Sequence, residues 1–173
     1  MSESSKIPAL PYSSIDPAIL EEMKRRFAET PLHALLGLDI LPPDPNDPSL
    51  AVVTMPVTPG AFGSTGNLHG GAIATLVDVS CASAASRSSS FRPGENTLVT
   101  ADMHIRYLGR PKGEMVRGEA RVLRSGRTLI VVQGTVVDDL DNVLATADFA
   151  AMVVALREPL RPELRTDGTA AEM

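Results

Sequence analysis

One carboxylate and one run of small residues stand out as candidates for chemistry. Between His69 and Arg87 the only charged residue is Asp78, set among Ala74, Leu76, Val77, Val79, Ala82 and Ala85. A helix that is apolar nearly all round is a buried helix. Burial of an unpaired carboxylate disfavours its ionised form. No basic residue lies within a turn of Asp78, so any partner must come from elsewhere in the chain. Asp78 then either hydrogen-bonds to a loop or lies at the helix's exposed edge, or it serves as a general base or nucleophile in a cleft. The run Gly66-Asn67-Leu68-His69-Gly70-Gly71 opens the same helix. Glycines let a ligand approach the backbone closely. The first N–H groups of a helix lack internal partners and carry its positive dipole end. Such donors suit a carbonyl oxygen that becomes negative during acyl transfer. The plainer readings are tight helix–strand packing for Gly70 and Gly71, and a capping role for His69.

The surrounding pattern shows which elements must position these residues. Asp16-Pro17 reads as a cap followed by proline at the first helical position. Ile19, Leu20, Met23 and Phe27 then form one apolar stripe, and Thr30-Pro31 ends the helix. Residues 31–40 are left open. Four prolines between 42 and 48 mark a loop, 50–57 alternates as a strand, and 59–67 is a glycine-rich loop. The chemistry-bearing helix covers about 69–86. Four strands follow: 97–108, 114–124, 127–137 and 143–155, with turns at Lys112-Gly113, Ser125-Gly126 and 138–142. On the first of these, Val99, Ala101, Met103, Ile105 and Tyr107 share one face. Strands joined by turns this short are antiparallel, and one long helix must cover a face of their curved sheet. Helical spacing places Ala74, Cys81 and Ala85 on the same side as Asp78, giving a small apolar floor.

The chain has 173 residues, 43% of them hydrophobic and 3% aromatic, which suits one domain with no internal repeat. A net charge of -5 and the absence of Trp argue against a general nucleic-acid binder. The N-terminal residues lack the apolar core of a secretory signal, and no apolar run approaches bilayer length, so a cytoplasmic protein is expected. The single cysteine, Cys81, excludes an internal disulfide; with three scattered histidines it predicts no metal site. Nothing near Cys81 would lower its pKa, so it reads as packed rather than reactive. The charge is unevenly distributed. Nine of the 16 basic residues lie between Arg87 and Arg127, a stretch that nets +5 while the rest nets -10. That stretch is either a solvated strand face or a local site for an anion.

Three segments together resemble the hotdog-fold acyl-CoA thioesterases, in particular the phenylacetate-degradation type. They are Asn67-Leu68-His69-Gly70-Gly71, Leu76-Val77-Asp78, and Asp102-Met103-His104-Ile105-Arg106-Tyr107-Leu108. The resemblance covers roughly residues 33–155. It implies an α+β hotdog fold, a curved antiparallel sheet wrapped around one long helix, with a domain at 33–156. An extension with a short helix precedes it at 1–32, and a flexible tail follows at 157–173. It implies that Asp78 attacks the thioester or activates water, that the Gly70 N–H polarises the carbonyl, and that Thr100 positions the water. It also implies that Asp78 and the Gly70 N–H come from different subunits of a homodimer, which is expected to pair further into a homotetramer. The resemblance places His69, Gly71, Asn67, Gly63 and Ser64 around the substrate. It brings the Gly126-Arg127-Thr128 turn to the CoA phosphates; CoA belongs to the substrate and no separate cofactor is implied. One departure stands: related enzymes often carry Asn or Gln about 15 residues before the acid, and here that position is Gly63, with Ser64 or Asn67 as substitutes. Two rival readings remain. One is a hotdog hydratase or dehydratase pairing His69 with Asp78, and the other is a module that binds acyl-CoA without turning it over.

Overall fold

The computed structural model describes residues 17–44 and 46–156. The expected N-terminal lead and C-terminal tail lie outside the described residues. Pro17 opens α1 (Pro17–Glu29), whose polar side is laced by Glu21–Lys24, Glu22–Arg25, Glu22–Arg26 and Arg25–Glu29 pairs one turn apart. The stretch 31–40 is resolved as α2 (Pro31–Leu36) and a short strand β1 (Asp39–Ile40). Gly37 ends α2 with φ 65, a left-handed conformation that glycine adopts without penalty. The Phe27 and His33 rings meet at 4.3 Å and tie α1 to α2. The remaining elements are β2 (Leu50–Pro56), α3 (Gly70–Ala85), β3 (Asn96–Tyr107), β4 (Met115–Ser125), β5 (Leu129–Asp138) and β6 (Val143–Ala155). The strands form one antiparallel sheet in the order β1-β2-β4-β5-β6-β3. The 12-residue strand β3 is therefore an edge.

The sheet curls around α3 because two of its residues lack side chains where the helix lands. A Cβ on Gly118 of β4 would lie 2.7 Å from the Ser80 Oγ, and one on Gly134 of β5 would lie 2.8 Å from the Cys81 Sγ. Glycine at both positions lets the helix axis come down onto the strands. Leu76, Cys81, Ala84 and Ala85 are fully buried there, together with Val53, Met55, Val116, Ile130, Val132 and Val136. Burial of a side chain such as Leu76 contributes on the order of 2 kcal/mol. The other side of α3 remains partly open along Gly71, Ala74, Thr75, Asp78 and Ala82. The expected floor beside Asp78 is corrected accordingly. Ala74 shares its stripe, but Cys81 and Ala85 are turned into the sheet, because half a turn decides which wall a helical residue meets.

Strand β3 also departs from simple alternation. Its register with β6 shifts between Thr100 and Asp102, so Ala101 is an extra, bulged residue. Thr100 pairs with buried Ala151, and beyond the bulge Met103, Ile105 and Tyr107 pair with buried Phe149, Ala147 and Ala145. Val99 therefore lies on the opposite face from Met103, Ile105 and Tyr107, and is 50% exposed. The single face expected from the sequence is two half-faces joined at the bulge, and that shift turns Thr100 toward α3.

The basic stretch divides into structural and unpaired charges. Arg87 is buried and donates to the Leu50 and Pro48 carbonyls. Arg92 pairs with Glu95, Arg117 with Glu119 and Asp141, and Arg121 with Asp47. Among the described residues Arg106, Arg110, Lys112, Arg124 and Arg127 have no carboxylate partner.

Two consequences can be measured. The fully buried Asp138 closes the β5–β6 turn, accepting from the Lys112, Leu140 and Asn142 backbone N–H groups and from the Asn142 side chain at 2.8–3.1 Å. Burial alone would raise its pKa, but these donors outweigh it and hold the carboxyl at about 2, below the ordinary 3.8. A depressed folded-state pKa adds stability above the unfolded value that is lost as pH falls through the folded one. Urea unfolding should therefore lose stability steadily from about pH 4 to pH 2, and Asp138→Ala should flatten that slope. An unchanged slope would remove Asp138 from the account. Cys81 tests the helix seat. Burial first, and the Asp78 charge second, push its thiol up to about 12. Iodoacetamide at pH 8 should label it only after unfolding; labelling of the native protein would contradict this packing.

Candidate functional site

The loop leading to α3 is closed on itself before the helix begins. The Gly63 N–H donates to the Asn67 carbonyl at 2.8 Å, the Gly66 N–H to the Gly63 carbonyl at 3.0 Å, and the His69 N–H to the Ala61 carbonyl at 2.8 Å. Gly66 takes φ 70, which its residue type permits. The Asn67 side chain donates to the Thr65 carbonyl, and Ser64 is exposed on the same loop. Gly63 lies under the His69 ring: a Cβ there would be 3.1 Å from the His69 Cδ2. A larger residue at 63 would press on the imidazole, so the glycine and the histidine fit each other.

His69 is the N-cap of α3. Its Nδ1 accepts from the Gly71 N–H at 2.8 Å, which satisfies one of the donors left open at a helix start. The Gly70 N–H has no acceptor among the described residues, and Gly70 is exposed. That free donor sits at the positive end of a 16-residue helix. The Gly70 carbonyl accepts from the Tyr107 hydroxyl at 3.1 Å.

Asp78 lies two turns further along. It is half-buried, and its Oδ1 accepts from the Thr100 hydroxyl at 2.7 Å. The long-range partner demanded by the sequence is therefore a neutral hydroxyl on the edge strand, not a cation. The Asp78 Oδ2 accepts no hydrogen bond from the described residues.

The structure brings some of the expected site residues together and separates others. Asp78 and Thr100 meet, and Gly63, His69, Gly70 and Gly71 meet. The two groups stand apart: eight residues at 1.5 Å rise put Gly70 and Asp78 about 12 Å from each other on one helix. The Gly126-Arg127-Thr128 turn lies at the far end of the sheet from Gly70. Leu129 pairs with Met152, whereas Tyr107, which touches Gly70, pairs with Ala145. Seven strand residues separate those rungs, roughly 23 Å. Thr100 pairs with Ala151, so Asp78 and Thr100 lie nearer the hairpin end. At the turn, the Gly126 N–H donates to the Leu129 carbonyl at 2.9 Å, and a Cβ on Gly126 would be 2.8 Å from that oxygen. Arg127 and Thr128 are exposed at the tip.

The residue that sequence reasoning missed is Tyr107. It reads as one member of an alternating face, and its contact with Gly70 depends on a bulge that no composition signal marks. Among the described residues no group of three His, Cys, Asp or Glu is arranged to hold a metal, and no helix is long and apolar enough to cross a membrane.

Comparison with known proteins bears on this arrangement. Residues 65–145 match the model of the thioesterase superfamily, a span that includes Gly70, Asp78, Thr100 and the Gly126-Arg127-Thr128 turn. A protein of Halobacterium salinarum, named provisionally as an esterase, is 34% identical over 91 residues, 53% of this chain and 56% of that protein. The chain thus matches about half the length of that curated relative. Thioesterase superfamily member 2 of zebrafish is 28% identical with a TM-score of 0.66, over 80% of this chain and 99% of that one. A Bacillus halodurans protein solved with CoA is 26% identical with a TM-score of 0.68, over 80% of this chain and 87% of that one. The curled antiparallel sheet around its central helix is the hotdog fold of these thioesterase neighbours, and the segment from the helix start to β6 is the part of the chain that resembles the thioesterase superfamily.

Proposed function

We propose that this protein hydrolyses acyl-CoA thioesters, giving a carboxylic acid and free CoA, at sites built between two copies of the chain. The observation that carries the reading is the placement of two complementary groups on one helix: a free N–H donor at Gly70 and a hydroxyl-bound carboxylate at Asp78. Either alone is common. Together they supply what thioester hydrolysis needs, a donor for the developing oxyanion and a base or nucleophile for the carbonyl carbon. In the general-base form, the Asp78 Oδ2 takes a proton from water while the water oxygen attacks the carbonyl carbon. The negative charge that forms on the carbonyl oxygen is met by the Gly70 N–H. As the tetrahedral species collapses the C–S bond breaks, and the proton held by Asp78 passes to the departing CoA sulfur. In the nucleophilic form, the Asp78 carboxylate attacks first and the C–S bond breaks to release the CoA thiolate; water then cleaves the resulting anhydride, giving the acid and restoring Asp78. Thr100, donating to Oδ1, keeps the other oxygen directed at the reacting atoms.

Two groups about 12 Å apart on a rigid helix cannot both touch one carbonyl. A second copy resolves this. Strand β3 is a 12-residue edge with Val99 and Tyr107 exposed, and long unpaired edges are usually covered. Pairing β3 with its counterpart across a two-fold axis makes an isologous interface. It sets the two α3 helices antiparallel, so that Gly70 of one copy approaches Asp78 of the other. The same operation carries the exposed Arg127 turn of one copy toward Gly70 of its partner, which suits the phosphates of a CoA tail. The CoA-bound Bacillus halodurans relative supports that choice of substrate. The hydratase reading is less favoured, because the His69 Nδ1 is occupied by the Gly71 N–H and is not free as a base.

The test uses thiol release from a panel of acyl-CoAs of graded length, with phenylacetyl-CoA and hydroxybenzoyl-CoA included. Asp78→Asn should lower turnover by roughly 10²–10⁴-fold with the fold intact. Gly70→Pro removes the N–H and adds a ring, whose Cβ would stand 3.7 Å from the Tyr107 ring, an ordinary van der Waals contact. It suits the first helical position, and His69 at φ -66 and ψ 139 already has the backbone that precedes proline. It should lower turnover by about 10²–10³-fold. Wild-type turnover in either variant would overturn that residue's role, and tight CoA binding without hydrolysis by the wild type would favour a binding module.

A further inference from the structure

We propose that Tyr107 is a positioning residue that holds the oxyanion donor in place, an inference that rests on the thioesterase reading of Gly70. The first residues of α3 are a Gly-Gly pair, the dipeptide with the greatest backbone freedom. The single peptide unit joining Gly70 to Gly71 is gripped at both of its polar atoms. Its N–H, on Gly71, donates to the His69 Nδ1 at 2.8 Å, and its C=O, on Gly70, accepts from the Tyr107 hydroxyl at 3.1 Å. The Tyr107 ring also lies over Gly70, with its Cε1 and Cζ 3.7 Å from where a Cβ would stand. Fixing that peptide plane restrains the ψ of Gly70 and the φ of Gly71, while the His69 N–H bond to the Ala61 carbonyl holds the preceding residue, so the Gly70 N–H between them is restrained from both sides.

Tyr107 is 53% exposed, so its hydroxyl does not complete the buried core. It is also the last residue of the strand that supplies Thr100 to Asp78. One strand therefore orients the carboxylate at one point and the donor at another. The bulge at Ala101 lets both side chains face α3 although seven residues separate them.

The test is Tyr107→Phe, which keeps the ring and removes the hydroxyl. Turnover of a good acyl-CoA substrate should fall about five- to tenfold, the effect of one neutral hydrogen bond, with KM changed less than about twofold. The thermal midpoint should stay where it is. In the ¹⁵N amide spectrum, the Gly70 and Gly71 signals should shift and exchange faster with water. A merely structural tyrosine would lower the thermal midpoint and leave the kcat-to-KM split unmoved. Wild-type kcat together with unchanged glycine amides in Tyr107→Phe overturns the proposal. If the wild type cleaves no thioester, the functional reading fails by itself, and unchanged amide exchange would still refute the clamp.

Discussion

The rise of an α-helix, 1.5 Å per residue, is the constraint from which the rest of this site follows. α3 carries both groups suited to acyl transfer, and it is held as a straight rod on the glycine-lined strands β4 and β5. Gly118 and Gly134 leave no slack: a Cβ at either would overlap Ser80 or Cys81. The helix cannot bend to bring Gly70 to Asp78, and the two remain about 12 Å apart. A rigid seat gives each group a fixed direction, and it also prevents them from serving the same carbonyl within one chain.

Strand β3 is the second determinant. It supplies the Thr100 hydroxyl to Asp78 and the Tyr107 hydroxyl to the Gly70 carbonyl, and it forms the exposed edge of the sheet. The same twelve residues therefore hold Asp78 and the Gly70 carbonyl in place and offer the edge through which we propose a second copy joins. Coupling of this kind means that disturbing the edge disturbs the site. It also accounts for a bulge in the middle of the strand. Without the extra residue at Ala101, Thr100 and Tyr107 would face opposite sides of the sheet.

Much of this is legible in the sequence, and the parts that are not share a physical cause. The isolated charge of Asp78, the small residues before it and the alternating strands after it are local patterns, and the elements they predict are present within one or two residues. The partner of Asp78 could be required by the absence of a nearby cation, but only a resemblance pointed to Thr100. Alternation sets Val99 and Tyr107 on one face of β3 because it assumes two residues per repeat, and a bulge breaks that count without any compositional mark. Helical spacing sets Cys81 beside Asp78 because it names neighbours on the helix and not the wall they meet. The Tyr107 contact is hidden for both reasons, since it depends on the bulge and on where the helix start lies in space. The basic stretch is nearly half structural: Arg87, Arg92, Arg117 and Arg121 are spent on carbonyls and carboxylates, leaving Arg106, Arg110, Lys112, Arg124 and Arg127 without carboxylate partners among the described residues.

The central claim is that a working site takes Gly70 from one copy and Asp78 from the other, and complementation between two inactive variants tests it most directly. Purified Gly70→Pro and Asp78→Asn proteins are mixed in equal amounts, allowed to exchange subunits, and assayed for CoA release. Half of the dimers would be mixed, and each mixed dimer would contain one site with both groups intact, so about a quarter of wild-type activity should return. If subunit exchange is shown by mass and activity stays at the level of the separate variants, the two groups do not meet across an interface and the account is wrong.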